Sequence, residues 1–187
     1  DRSVEKIQEM SPACKERFVR FEFRHRANKG LCATLNEGAR VAKGEIVGFC
    51  SSDDTLHKNK IQTQVDFFKR NTHSDFCYTQ TYVFDDNGKI LQSATDLANK
   101  NLSINITFHD IITFKVHFPV TGMYRTNFLL EKLGGFDESL SAEDYDINLK
   151  IIQNTKIGYI EEKLYFYRSP AALGGTRSRP VMRLDVS

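Results

Sequence analysis

One short stretch constrains this chain more than any other: Glu45-Ile46-Val47-Gly48-Phe49-Cys50, an almost unbroken apolar run that ends in Ser51-Ser52-Asp53-Asp54. A run this short and this apolar suits a strand buried on both faces, as in a parallel sheet. The polar residues then stand at its carboxyl end, where open α/β sheets bind their ligands.

The rest of the chain alternates helical and strand patterns in keeping with that start. Residues 1–9 carry Val4 and Ile7, with Met10 next, at helical spacing, so a helix is expected first. Residues 17–24 alternate, with Val19, Phe21 and Phe23 on one face and Arg20, Glu22 and Arg24 on the other, which predicts a half-exposed edge strand. Helices are expected over 31–43, stopped by Gly44, and over 59–71. Residues 76–84 read as an aromatic-rich strand, and Asp86-Asn87-Gly88 as a turn folding it onto 89–91. The polar stretch 92–105 is expected to be a loop, followed by a short helix at 108–114 and a strand at 120–124. Thr126 is placed to cap a helix through Leu133 that Gly134-Gly135 ends. Ser141 with Asp144 forms a capping-box pattern for a helix to about Gln153, two short strands follow at 158–160 and 164–167, and residues 169–187 read as a flexible tail.

A length of 187 residues at 40% hydrophobic content suits one compact α/β domain. Lys and Arg number 26 against 24 for Asp and Glu, and a net charge of +2 provides little drive toward nucleic acid or an anionic membrane. The basic, aromatic stretch 15–26 has the period of a strand, so its rings are expected to pack inward rather than stack on bases. Cys14, Cys32, Cys50 and Cys77 stand singly, without CxxC spacing, which fits a reducing compartment. No apolar run is long enough to cross a bilayer. The expected location is cytoplasmic, with any membrane association peripheral, at the inner face.

Two acidic pairs carry the chemistry, and each has a plain alternative. Asp53 and Asp54 suit a hard divalent cation gripping a diphosphate, or a solvated turn capping the next helix. Glu143 and Asp144 open a helix, where carboxylates are stabilised by the dipole; facing a cavity, one could act as a general base. The five histidines are dispersed, with no metal-binding pair and none placed to take a proton at such a site.

Read together, six ordered blocks resemble the inverting glycosyltransferases of family 2, which have the GT-A fold. They are Asn28-Lys29-Gly30-Leu31 with Leu35-Asn36-Glu37-Gly38-Ala39, Ala42-Lys43-Gly44-Glu45-Ile46-Val47, Ser51-Ser52-Asp53-Asp54, Leu133-Gly134-Gly135-Phe136-Asp137-Glu138, Glu143-Asp144-Tyr145-Asp146, and Leu164-Tyr165-Phe166-Tyr167-Arg168. The resemblance implies an α/β fold with a mixed, mainly parallel sheet flanked by helices. It implies transfer of a sugar from a nucleotide-sugar donor, a UDP-sugar, to a hydroxyl of a saccharide, lipid-linked or protein acceptor, as in polysaccharide biosynthesis. Asn28, Gly30, Asn36, Ser52 and Asp53 match donor-binding positions. Asp53, supported by Asp54, matches the site of Mn2+ or Mg2+. Asp144 matches the base, with Glu143 beside it. Departures are Ser51 in place of an aspartate, Leu35 in place of an arginine, and Ser169-Pro170 where a histidine often follows. A noncatalytic sugar-nucleotide-binding or scaffolding domain of the same fold is the alternative. The resemblance also places a first strand, a crossover and a base-reading acidic segment ahead of Asp1. On that expectation the edge strand at 19–24 and the buried strand at 45–50 stand about two strand spacings apart across a cleft, and the chain alone is marginally stable and inactive.

Overall fold

A computed structural model describes residues 2–140 and 143–169. The Ser141 cap and the tail from residue 170 onward lie outside the described residues. Ser169 is still tied to the sheet, its N–H donating to the Phe84 carbonyl at 2.9 Å.

Helix α1 (Ser3–Arg17) runs further than its apolar spacing indicates and buries none of its residues. Residues 18–30 follow as an irregular segment, not the expected edge strand. Exposure alternates only over 20–24, with Phe21 and Phe23 partly sheltered and Arg20, Glu22 and Arg24 exposed, while Val19, expected on the sheltered face, is fully exposed. A strand also needs a neighbour's backbone, and none of the described residues pairs with this one. Side chains hold it instead: Arg20 Nη1 donates to the Val41 carbonyl at 2.7 Å, Arg20 and Arg24 both grip Glu22, and Arg26 Nε reaches Glu37 at 2.5 Å.

Helix α2 (Leu31–Val41) leads into β1 (Ile46–Gly48), then β2 (Thr55–Leu56), α3 (Lys60–Arg70) and β3 (Phe76–Phe84). Helices α4 (Gln92–Asn99) and α5 (Phe108–Ile112) precede β4 (Met123–Arg125), a π-helical turn (Phe128–Lys132), α6 (Asp144–Asn154) and β5 (Ile157–Arg168). The sheet is mixed, in the order β1-β4-β3-β5-β2. Its longest ladder is parallel, β3 on β5 from Phe76 opposite Ile157 to Phe84 opposite Arg168. The two strands expected at 158–160 and 164–167 are the halves of β5, joined through a bulge where exposed Glu161 and Glu162 are skipped between Ile160 and Lys163.

Of the run at 45–50 only Ile46–Gly48 is strand, and it is not buried on both faces: Val47 is buried, Ile46 partly so and Gly48 exposed. It also pairs antiparallel with β4, Val47 opposite Tyr124. Hydropathy reports burial and is blind to the direction of the partner. Gly48 lets the two strands close up, since a Cβ there would meet Met123 Cγ at 2.9 Å.

Residues 92–99 form a helix rather than the expected loop, and the reason lies in β3. Strand β4 pairs with only Phe76 and Cys77, so the remaining edge of β3 needs partners. Side chains supply them: Thr79 N–H donates to Thr121 Oγ1 at 3.0 Å, Thr81 N–H to Asn99 Oδ1 at 2.9 Å, and Val83 N–H to Thr95 Oγ1 at 2.9 Å. Helix α4 thus caps a sheet edge, which no hydrophobic period advertises.

Thr126 does not cap the following turn; its hydroxyl donates to the Gly44 carbonyl at 2.7 Å, tying that turn to the entrance of β1. Gly134 and Gly135, at φ of 74° and 79°, then end it as expected. Above the sheet the core is aromatic, with the Phe76 ring 5.2 Å from Phe118 and 5.0 Å from Tyr124, closed by Leu129, Ile147 and Ile151. This packing forms the floor of the cavity described next.

Candidate active site

The carboxyl end of β1 and the start of α6 meet at one cavity of about 120 Å³. Ser51, Glu143, Asp144, His117 and Asn148 line it over a floor that includes Phe49, Phe76 and Phe118. The cavity therefore joins two blocks some ninety residues apart in sequence, a separation across which no local period can be read.

Glu143 is partly buried and Asp144 exposed at the N-terminus of α6. The two carboxyls are tuned in opposite directions. Desolvation pushes Glu143 above the usual range, with the neighbouring charge of Asp144 adding to it. A hydrogen bond from His117 holds Asp144 below the usual range, against some desolvation. His117 Nε2 stands 3.1 Å from Asp144 Oδ2. The expectation that no histidine is placed at the base is thus corrected: His117 lies in the irregular stretch before β4, 27 positions from Asp144, and no spacing rule links them.

The Asp53-Asp54 pair divides between two tasks. Asp53 is exposed, and Arg168 Nη2 reaches its Oδ2 at 3.3 Å. Asp54 is buried and both its oxygens are taken, Oδ2 by the Tyr165 hydroxyl and Oδ1 by the Arg168 N–H, each at 2.8 Å. Burial raises its carboxyl despite those two donors. Asp54 therefore anchors the turn to the end of β5, while Asp53 is exposed. Among the described residues no three His, Cys, Asp or Glu side chains converge on a metal position. The exposed Asp53 carboxylate, engaged by Arg168 through Oδ2 only, does fit a cation that takes most of its ligands from water and a diphosphate. Arg168, quoted within a motif but assigned no task, bridges Asp53 and Asp86, whose Oδ1 is 3.1 Å from Nη1.

Asp53 stands in the turn beyond Ser51 and does not itself line this cavity, and neither do the other donor-binding candidates. Ser52 sits exposed in the turn beside Asp53. Asn28 Oδ1 accepts from the Gly30 N–H at 2.8 Å, and Gly30, at φ of 88°, starts α2. Asn28 lines a separate open cleft of about 700 Å³ with Arg20, Arg24 and Arg26. Asn36 is buried, and its amide is bound internally: Nδ2 donates to the Phe136 carbonyl and Glu138 Oε1, and Oδ1 accepts from the Phe136 N–H, all at 2.9 Å. Asn36 acts on the Gly135-Phe136 segment rather than presenting its amide to a ligand.

No helix among the described residues is long and apolar enough to cross a membrane. The chain is 30% identical over 166 residues to an uncharacterized glycosyltransferase of Rickettsia conorii, a match covering 88% of this chain and 26% of the relative. Its structure resembles S. aureus TarS 1-349 in complex with UDP-GlcNAc, with a TM-score of 0.66 at 22% identity, covering 90% of this chain and 46% of that one. It also resembles the mannosyltransferase PcManGT from Pyrobaculum calidifontis in complex with GDP-Man and Mn2+, with a TM-score of 0.60 at 15% identity, covering 89% and 44%. The chain thus spans about a quarter of that relative and under half of those structures. The glycosyl transferase family 2 profile matches residues 1–132, most of the chain, and ends before the acidic pair of α6. By that match the chain belongs to glycosyltransferase family 2.

Proposed function

We propose that this chain is the catalytic portion of an enzyme that moves a sugar from a nucleotide-diphosphate sugar, a UDP-sugar, to an acceptor hydroxyl with inversion. One observation carries the reading: Glu143 and Asp144 line the same cavity as Ser51, at the end of the strand whose turn presents Asp53. The UDP-GlcNAc bound to TarS supports the choice of donor.

Asp53 would hold a divalent cation through its exposed carboxylate, with Asp54 fixing the turn from below. When bound, such a cation neutralises charge on the diphosphate leaving group. Asp144 accepts the proton of the acceptor hydroxyl as the oxygen attacks the anomeric carbon. The bond from that carbon to the diphosphate breaks on the opposite side, its electron pair leaving with the nucleoside diphosphate. Arg168, beside Asp53, brings positive charge to the edge of the same site. The apolar floor limits water, which would otherwise compete as acceptor.

Ser51 stands where a carboxylate is usual, and this favours a second reading, a noncatalytic sugar-nucleotide-binding domain. Turnover decides between them. Donor hydrolysis by the intact protein, screened across nucleotide-sugars with Mn2+ or Mg2+, should show activity that Asp144→Asn lowers about a hundredfold or more while donor affinity holds. Donor binding without hydrolysis or transfer would establish the scaffold. Near-normal turnover in Asp144→Asn would move the base to Glu143.

A further inference from the structure

We infer that Asn148 and His117 form a positioning relay that holds Asp144 ionised and aimed at the acceptor, with His117 neutral and protonated on Nε2. The inference rests on Asp144 being the base. Asn148 Nδ2 lies 3.3 Å from His117 Nδ1, and an amide nitrogen can only donate. Nδ1 must then be the accepting nitrogen, so the ring's proton sits on Nε2, 3.1 Å from Asp144 Oδ2.

The fold aims all three groups. Asp144 and Asn148 are four residues apart on α6 and share one face. Val116 and Phe118 are buried on either side of His117, so the extended chain turns His117 outward across that face. Asn148 is itself buried, which fixes the donor. With Oδ2 occupied by the ring N–H, Asp144 keeps Oδ1 for the acceptor.

Other ionisable groups around the pair leave the assignment standing. Lys115, on the same loop, is paired with Asp110 at 2.7 Å, and Asp146 on α6 with Lys150 at 2.7 Å. Cys32 on α2 and Tyr124 on β4 are pushed upward by burial and stay uncharged near neutrality. Glu143 is the remaining carboxyl; desolvation shifts it upward, and no hydrogen bond from His117 to it is formed, the ring N–H being directed at Asp144 Oδ2.

The test reads pH profiles of kcat/KM together with 15N NMR of His117 in the intact protein. His117→Ala should raise the acid limb by about one pH unit, lowering turnover about tenfold at the acid end and little at the alkaline end, with donor KM unchanged. His117→Gln, which retains an amide donor, should bring the limb back. NMR should show a neutral ring with its proton on Nε2 at pH 7. A limb that stays in place in His117→Ala, a uniform loss at every pH, or a ring protonated on both nitrogens at pH 7 would each overturn the relay. Turnover surviving in Asp144→Asn overturns the base assignment separately, because the tautomer is read without turnover.

Discussion

The side-chain amide of Asn36 closes on the main chain of Phe136, one hundred positions away, donating to its carbonyl and accepting from its N–H at 2.9 Å each. A Cβ on Gly135 would come within 2.5 Å of Asn36 Oδ1, so the amide needs glycine there. The asparagine of one motif and the glycine of another are two halves of one clamp, joining α2 to the segment that leads toward Asp144.

Asn36→Ala should destabilise the protein by roughly 2–4 kcal/mol, since both polar groups of Phe136 lose their partner in a buried place. Gly135→Ala adds a clash to a φ of 79° and should cost a similar amount. Urea unfolding of the two single variants and the double variant checks this. The double variant should lose less than the sum, because the clash vanishes with the amide.

The two aspartates after β1 should separate cleanly. Asp53→Asn should abolish metal-dependent donor binding in calorimetry and leave the melting temperature in place, because the side chain is exposed. Asp54→Leu should lower stability by about 2 kcal/mol or more, leaving the buried Tyr165 hydroxyl and the Arg168 N–H without their acceptor. Unchanged donor affinity in Asp53→Asn would remove it as the cation's ligand.

Thr95→Val keeps shape and deletes the acceptor of the Val83 N–H. A loss of roughly 1–3 kcal/mol is expected, with faster hydrogen exchange at Val83 than at the Cys77 end of β3. Wild-type exchange at Val83 in that variant would mean α4 does not seal the edge.

Lys60 is buried, donates to Gln64 Oε1 at 2.5 Å, and burial pushes its ammonium down to about 8 from 10.5. The unfolded chain therefore binds more protons between those values, and the Lys60 contribution to stability rises as pH climbs through that window. Relative to wild type, Lys60→Met should be favoured most at pH 7 and lose roughly 2–3 kcal/mol of that advantage by pH 10. Denaturant unfolding of both proteins at pH 7, 8.5 and 10 measures the difference. A difference independent of pH would place the charge in contact with water.

Local pattern alone determined a good part of this protein. The periods at 31–43, 59–71 and 76–84 found α2, α3 and β3, because an amphipathic or buried element writes its burial into neighbouring residues. The ordered motifs pointed to the family and nominated Asp53, Glu143 and Asp144 as candidates. Tertiary structure decided what depends on a partner far along the chain. Residues 17–24 alternate like a strand but lack a paired neighbour, and 92–99 look like a loop but seal the edge of β3 with Thr95 and Asn99. It divided Asp53 from Asp54, committed Asn36 to Phe136, and brought His117 to Asp144. The reason is common to all of these: a hydrogen bond is made by donor and acceptor geometry, and polar side chains carry no periodic trace of which distant group they will meet.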